Sequence, residues 1–491
     1  MKRTSSTAPV RRPRPLRAIL VVGVLTALAG AVWAQEDGLL ERWEETLLFG
    51  IDSQVDSILG QIAQAGETGL DDLIVERFAS TRGDSLRTRI VEHFADLESQ
   101  VLAAEARALV LGEERVTNDL LRASTSYLSR IVEDPSPELL ERYAEIAEEG
   151  DLLAASVAID AIGRNGSPEA VGRLLELYDR LSPEDLRAAV IRALGETGST
   201  EAVPMLTAIA SDEFAESSLR QYSAEALGRI GAPESVELLT ELLATDDGLL
   251  RAYATYGLGF YDTEEAATLL EESLRDSFWR VRVSALEALG QQRRAEAVPA
   301  VAYKARRDPE RPVREEATRA LARIGTPQSV GILRELALDD DLGEVERILA
   351  VEQLAESASA ETAEVFAQIV EEQWEREGSK LLDAVGRIVS ENAARGYAPL
   401  YDTLLEHPNF IIRLYAMRGI GEAGIRGRAE ALKRVARDNP PGLERRTALT
   451  ALEKMGIAFD PEAEEEDDEG DADEAADGSV PDEGGEEVET E

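Results

Sequence analysis

The 491-residue chain contains two histidines, His93 and His407, and no cysteine. The missing thiols exclude disulfides, thiolate metal sites, a cysteine nucleophile and a lipid-bearing cysteine. Two lone histidines supply neither a hydrolytic triad nor a zinc ligand set. His93 reads as a packing residue on a helix, and His407, ahead of Pro408, as part of a turn. Carboxylates are the opposite case. With 97 Asp and Glu a glycosidase-type pair could be drawn almost anywhere, and solvated helix faces account for them. No glycine loop follows a strand pattern, so nothing cradles a phosphate. The sequence therefore offers no catalytic residue, metal ligand or cofactor. What remains are arginines and tyrosines recurring at fixed spacing.

Their spacing comes from an internal repeat. IRALGETG (191–198), AEALGRIG (224–231), LEALGQQR (286–293), TRALARIG (318–325) and MRGIGEAG (417–424) resemble one another. Taking the residue after the last large apolar one as an anchor places copies at 163, 195, 228, 259, 290, 322, 355, 389, 421 and 453, some 31 to 34 residues apart. Weaker copies stand at 60, 95 and 129. Each copy reads as two helices. Pro168, Pro233 and Pro327 open first helices, where a missing N–H costs nothing. Gly166, Gly198, Gly231, Gly325 and Gly424 follow second helices, where a left-handed stop suits glycine.

On the second helix, Ala recurs five before the anchor and Leu or Ile one before it, as in Ala285 and Leu289. At 100° per residue these columns share one buried stripe. Small residues two before the anchor, such as Ala193, Ala226 and Ala320, allow neighbouring second helices to approach closely. Arginine recurs eight before the anchor, as Arg187, Arg220, Arg251, Arg282, Arg314, Arg347, Arg413 and Arg445, often with Asp six residues earlier, as in Asp276/Arg282, Asp308/Arg314 and Asp341/Arg347. This column lies on the inward flank, so a structural ladder tying turns to neighbouring repeats outweighs a cationic binding track.

Columns three and six before the anchor lie opposite the buried stripe and are expected to be exposed. They hold Arg192, Glu225, Tyr256, Glu287 and Arg319, and Tyr222, Tyr253, Glu316 and Tyr415. Nine of the 24 aromatic residues fall within 214–303. Exposed tyrosine among Arg and Glu has the composition of an interface centre, so Tyr222, Tyr253, Tyr256, Arg192, Glu225, Glu287, Arg319 and Tyr415 are the candidate partner-binding residues.

These units resemble HEAT repeats, of the short kind also found in phycobilisome-lyase-like proteins. The resemblance is close over 137–459 and looser over 40–136. It implies an all-α, right-handed α-solenoid of about 12–13 helix pairs, with the second helices lining a concave surface and the Asp/Arg pairs serving as ties. HEAT-fold enzymes also exist. The paired His-Glu iron ligands of the hydroxylase that modifies a lysine are absent, since neither His93 nor His407 is followed by Glu.

The ends are distinct. Lys2, Arg3, Arg11, Arg12, Arg14 and Arg17 precede an apolar run from Ala18 to Val32, and Val32-Trp33-Ala34 has the small residues of a cleavage site. Residues 1–34 read as a secretory signal cleaved after Ala34, which places the mature chain in the periplasm or outside the cell. Residues 35–136 read as divergent repeats and 137–459 as the regular array. Residues 460–491 hold 18 acidic and no basic residues, and are expected to form a disordered acidic tail able to bind divalent cations weakly. The chain carries a net −45, which excludes non-specific nucleic-acid binding. The reading that emerges is a non-catalytic exported scaffold binding partner proteins on its concave surface, to assemble or position an envelope complex. The alternatives are a lyase- or hydroxylase-like enzyme or accessory, and a cation- or glycan-binding envelope protein.

Overall fold

A computed structural model of the chain describes residues 39–132, 136–355 and 359–460. The expected signal segment, 1–34, and the acidic tail beyond Asp460 lie outside the described residues. The described chain is all-α: 26 helices form thirteen consecutive antiparallel pairs, and no strand occurs among the described residues. No described helix is long and apolar enough to cross a membrane.

The helices begin and end where local chemistry dictates. Ser136, Ser167 and Thr326 cap first helices by accepting the N–H of Leu139, Ala170 and Ser329, each with proline at the next position. Pro233 differs, standing two residues ahead of helix Ser235–Leu242. Second helices stop at Gly166, Gly198, Gly231, Gly325 and Gly424, whose φ values of 61 to 70° would strain any side chain.

The pairs fall into two compact units. The first, ending at Ala232, contains six pairs and the second, beginning at Pro233, contains seven. Within each unit a first helix packs on its own second helix, and successive second helices stack on one another. The anchor position explains the intimacy of that stacking. In the first unit a Cβ on Gly163 would stand 2.8 Å from Ala193 Cβ, and one on Gly195 would stand 2.9 Å from Ala226 Cβ. In the second unit Gly290 meets Ala320 and Gly421 meets Ala451 in the same way. Glycine at the anchor and alanine two before the next anchor thus bring backbones to near contact. The expected stripe is buried: Ala158, Ile162, Ala285, Leu289, Ala317 and Leu321 are fully inaccessible.

Candidate functional site

The arginine column forms a series of ties across repeats. Arg251 grips the Asp276 carboxylate with Nε and Nη2 at 2.8 and 2.9 Å, while its Nη1 donates to the carbonyls of Thr245 and Asp246 in its own turn. Arg282 takes the Asp276 and Ser277 carbonyls through Nη1 and the Asp308 carboxylate through Nε and Nη2. Arg314 repeats the motif on the Asp308 and Pro309 carbonyls and on Glu346. Arg413 does so on His407, Pro408 and Glu444. One aspartate therefore serves two arginines, its carboxylate facing the preceding repeat and its carbonyl facing its own. The pairing differs in register from the six-residue Asp/Arg spacing in the sequence, and Arg347 bonds Asp340, not Asp341, together with Glu372. In the first unit Arg87, eight before the weaker anchor 95, grips the Glu114 carboxylate, but two partners are neutral: Arg187 donates to the Tyr178 hydroxyl at 2.7 Å and Arg220 to the Ala210 carbonyl.

The electrostatics of these ties follow from the donors. Burial alone would raise the Asp308 carboxyl, but Arg282, the Glu310 N–H and Lys304 together hold it below the usual carboxylate range. Asp276 is lowered likewise against its burial, chiefly by Arg251. Glu346 is lowered first by its hydrogen bond from Arg314.

The face of the second helices opposite the stripe is less open than expected. Tyr222, Tyr253, Tyr256 and Tyr415 are half-buried, and Glu316 is buried. Close stacking contributes to this: the Tyr415 ring lies on Gly386 of the preceding second helix, where a Cβ would come within 2.9 Å of it. In the first unit the Arg192 guanidinium stands 5.2 Å from the Tyr222 ring centre, a cation–π contact. Glu225 binds Arg229 at 3.0 Å, and these four residues with Glu196 line a small concavity. In the second unit Tyr256 meets Phe260 edge to face at 5.4 Å. Glu316 accepts from Arg319 at 3.3 Å and from Arg323 at 2.6 Å. Glu287 is bonded by Gln291 at 3.2 Å; burial raises its carboxyl, and the neighbouring Glu316 raises it further. The candidates thus form two polar–aromatic patches, one around Arg192, Tyr222 and Glu225, the other holding Tyr253, Tyr256, Glu287 and Arg319 along three successive second helices, whereas Tyr415 lies apart, three second helices further along.

Both histidines are buried. His93 lies within helix Asp84–Asp96, and burial lowers its pKa. His407 occupies the turn before helix Phe410–Glu422; its Nδ1 accepts the Asn409 N–H at 3.0 Å, so the Nε2 proton faces the Trp374 carbonyl at 3.3 Å. The sequence reading missed the cleft beside it. Trp374, Arg376, Lys380, Leu382, Asp383 and Ile412 border a cleft of about 640 Å³ with His407 and Trp374 in its wall, their rings edge to face at 4.6 Å. One signal was available: the 34-residue interval between anchors 355 and 389 is the longest in the regular array, and the additional chain lies between helices Ala360–Gln373 and Lys380–Glu391.

Solved structures of similar fold include the karyopherin Kap121p bound to Nup53p, at 13% identity over 84% of this chain and 52% of that one, with a TM-score of 0.39. Human deoxyhypusine hydroxylase in complex with glycerol matches at 22% identity over 53% of this chain and 99% of its own, with a TM-score of 0.25. The CpcE–CpcF complex of phycocyanin lyase from Nostoc sp. matches at 22% over 52% and 94%, with a TM-score of 0.30. The chain spans about half the length of the karyopherin chains it matches. None of the curated proteins matches it. At this similarity the structures speak to fold alone. The family model described as spirochaete HEAT repeat protein matches residues 47–452, the greater part of the sequence, and the chain therefore belongs to that family.

Proposed function

We propose that this protein is a non-catalytic binding scaffold, exported after removal of residues 1–34, that holds partner proteins on the exposed face of its second helices and so assembles or positions an envelope complex. The observation that carries this reading is the contrast between the two arginine populations. Those eight before the anchor are consumed in ties within the fold, such as Arg282 with Asp308. Of those three before it, Arg319 is half-buried and paired with Glu316, but Arg192 and Arg418 remain exposed near half-buried tyrosines, with Arg192 set over Tyr222. Preordered aromatic and guanidinium groups lose little conformational entropy on binding, which suits a protein interface. A repeat array gives such a surface length without any single site of chemistry.

The test is a quantitative pull-down from envelope extracts comparing the wild type with Arg192→Glu and Tyr256→Ala. Arg180→Glu, on first helix Pro168–Arg180, is the control. Loss of the same partner in the first two variants, with the control and the thermal melts unchanged, supports the reading; retention of every partner by both abandons it.

A further inference from the structure

The arginine column breaks once in the second unit. Six of its seven anchors, from 259 to 453, have arginine eight residues before them, and at anchor 389 that place belongs to Leu381. The interval from 389 to 421 equals that from 290 to 322, so Leu381 stands where Arg282 does and His407 where Asp308 does. Both ends of one tie have therefore changed. His407 keeps half of the aspartate's role: its Nδ1 accepts the Asn409 N–H at 3.0 Å, as Asp308 Oδ1 accepts the Glu310 N–H at 3.1 Å. Its Nε2 does not replace the carboxylate, because it donates to the Trp374 carbonyl. Leu381 is buried and sends no guanidinium between the two turns.

Two successive clefts show the consequence. In the earlier one, of about 560 Å³, Arg347 lies in the wall, bonded to Asp340 and Glu372. The cleft of about 640 Å³ between residues 374–380 and 407–409 has the same place in the next repeat, without that side chain. Its carboxylates are uncommitted: Glu375, Glu377 and Asp383 border it, and none enters an ion pair among the described residues. Trp374 is half-buried with the His407 ring edge to face, so part of the indole remains open to the same space. Arg376, held by Gln373 at 3.4 Å, and Lys380 also line the cleft. Carboxylates still outnumber cations there, in a chain of net charge −45.

We infer that the cleft beside Trp374 is a socket for an arginine side chain of a partner polypeptide, which fills from outside the place that Arg282 and Arg347 fill from within. A planar guanidinium suits this lining because it stacks on an indole while its N–H fork takes a carboxylate. The negative field of the chain favours the approach of a basic segment. The socket is separate from the patches around Tyr222 and Tyr256 and does not depend on them.

The test uses the full-length chain and a fluorescein-labelled glycine peptide with one central arginine, read by fluorescence polarisation at about 0.15 M salt, where diffuse attraction is screened beyond roughly 8 Å. The comparison peptide carries citrulline, which keeps the shape of arginine and removes its charge. The arginine peptide should bind one to one and at least about tenfold more tightly than the citrulline peptide. Trp374→Ala, which alters no charge, should weaken it by at least about tenfold. Leu381→Arg supplies the guanidinium from within and should weaken it as much. Tyr303→Arg adds the same charge at an exposed site on helix Val298–Arg307 and should leave binding close to that of the wild type. Thermal melts establish that each variant folds; should Leu381→Arg not fold, Trp374→Ala decides alone. The inference is overturned by no binding, by equal binding of the two peptides, by equal binding to wild type and Trp374→Ala, or by full binding to a folded Leu381→Arg chain.

Discussion

Arg282 and Asp308, 26 positions apart on successive repeats, meet in a two-pronged ion pair with Nε–Oδ2 at 2.9 Å and Nη2–Oδ1 at 2.8 Å. Their side chains are 7% and 1% exposed. A charge so deeply placed is tolerable only because every donor has an acceptor, the third prong going to the carbonyls of Asp276 and Ser277. The pair therefore measures how strongly one repeat is registered on the next. Removing Asp308 leaves the buried Arg282 charge with carbonyl acceptors but no carboxylate.

Asp308→Ala should accordingly cost about 3–5 kcal/mol, read from the midpoint of urea unfolding. The surface comparison is Asp262→Ala, which removes an Arg294 partner whose carboxylate is 84% exposed. There the loss should stay under about 1 kcal/mol. Equal losses at the two sites would mean that the arginine column does not hold the repeats together.

The same ties set an acid limit. Asp276, Asp308 and Glu346 titrate below their ordinary values in the fold. A depressed carboxyl contributes stability that is complete above its unfolded pKa, near 4, and disappears as pH falls through the lower folded value. Unfolding midpoints measured from pH 7 downward should hold until about pH 4 and then decline. Glu287 has the opposite sign, because burial and Glu316 raise it. Its contribution is complete below the unfolded pKa and is lost as pH rises through the folded one, so Glu287→Gln should stabilise at pH 7 and change nothing at pH 3. A variant that stabilises equally at both would place the effect outside ionisation.

Leu289, fully buried one residue before its anchor, tests the helix phase. Leu289→Ala should cost about 2–5 kcal/mol in chemical denaturation, whereas Glu287→Ala, two residues earlier on the opposite face, should cost nothing. A comparable loss from both would contradict the stripe.

The repeat phase was legible because the buried columns obey one period: Ala285 and Leu289 sit where helical geometry alone puts them, and both are inaccessible. The offset between repeats was not. Aspartate six before arginine marks Asp276 and Arg282 as neighbours, but only the stacking distance shows that the Asp276 carboxylate belongs to Arg251. The candidate surface was legible as composition and misjudged in depth, since a column count cannot show the neighbouring helix that half-covers Tyr222 and buries Glu316.

Glycine at the anchor supplies the sharpest test of close stacking. Gly421 lies in the last turn of helix Phe410–Glu422, where local propensity alone favours alanine by up to about 1 kcal/mol. A Cβ there would stand 2.8 Å from both Ala451 Cα and Ala451 Cβ, and backbone on the neighbouring helix cannot rotate aside as a side chain would. Gly421→Ala should therefore destabilise by about 1–3 kcal/mol, as overpacking does. Gly331, inside helix Pro327–Leu338, has nothing within 4 Å of its Cβ position, so Gly331→Ala should stabilise by up to about 1 kcal/mol. Opposite signs from one substitution at two helical glycines, read by thermal or urea unfolding, follow only if second helices touch through backbone at the anchor; two gains would show that the repeats stand further apart.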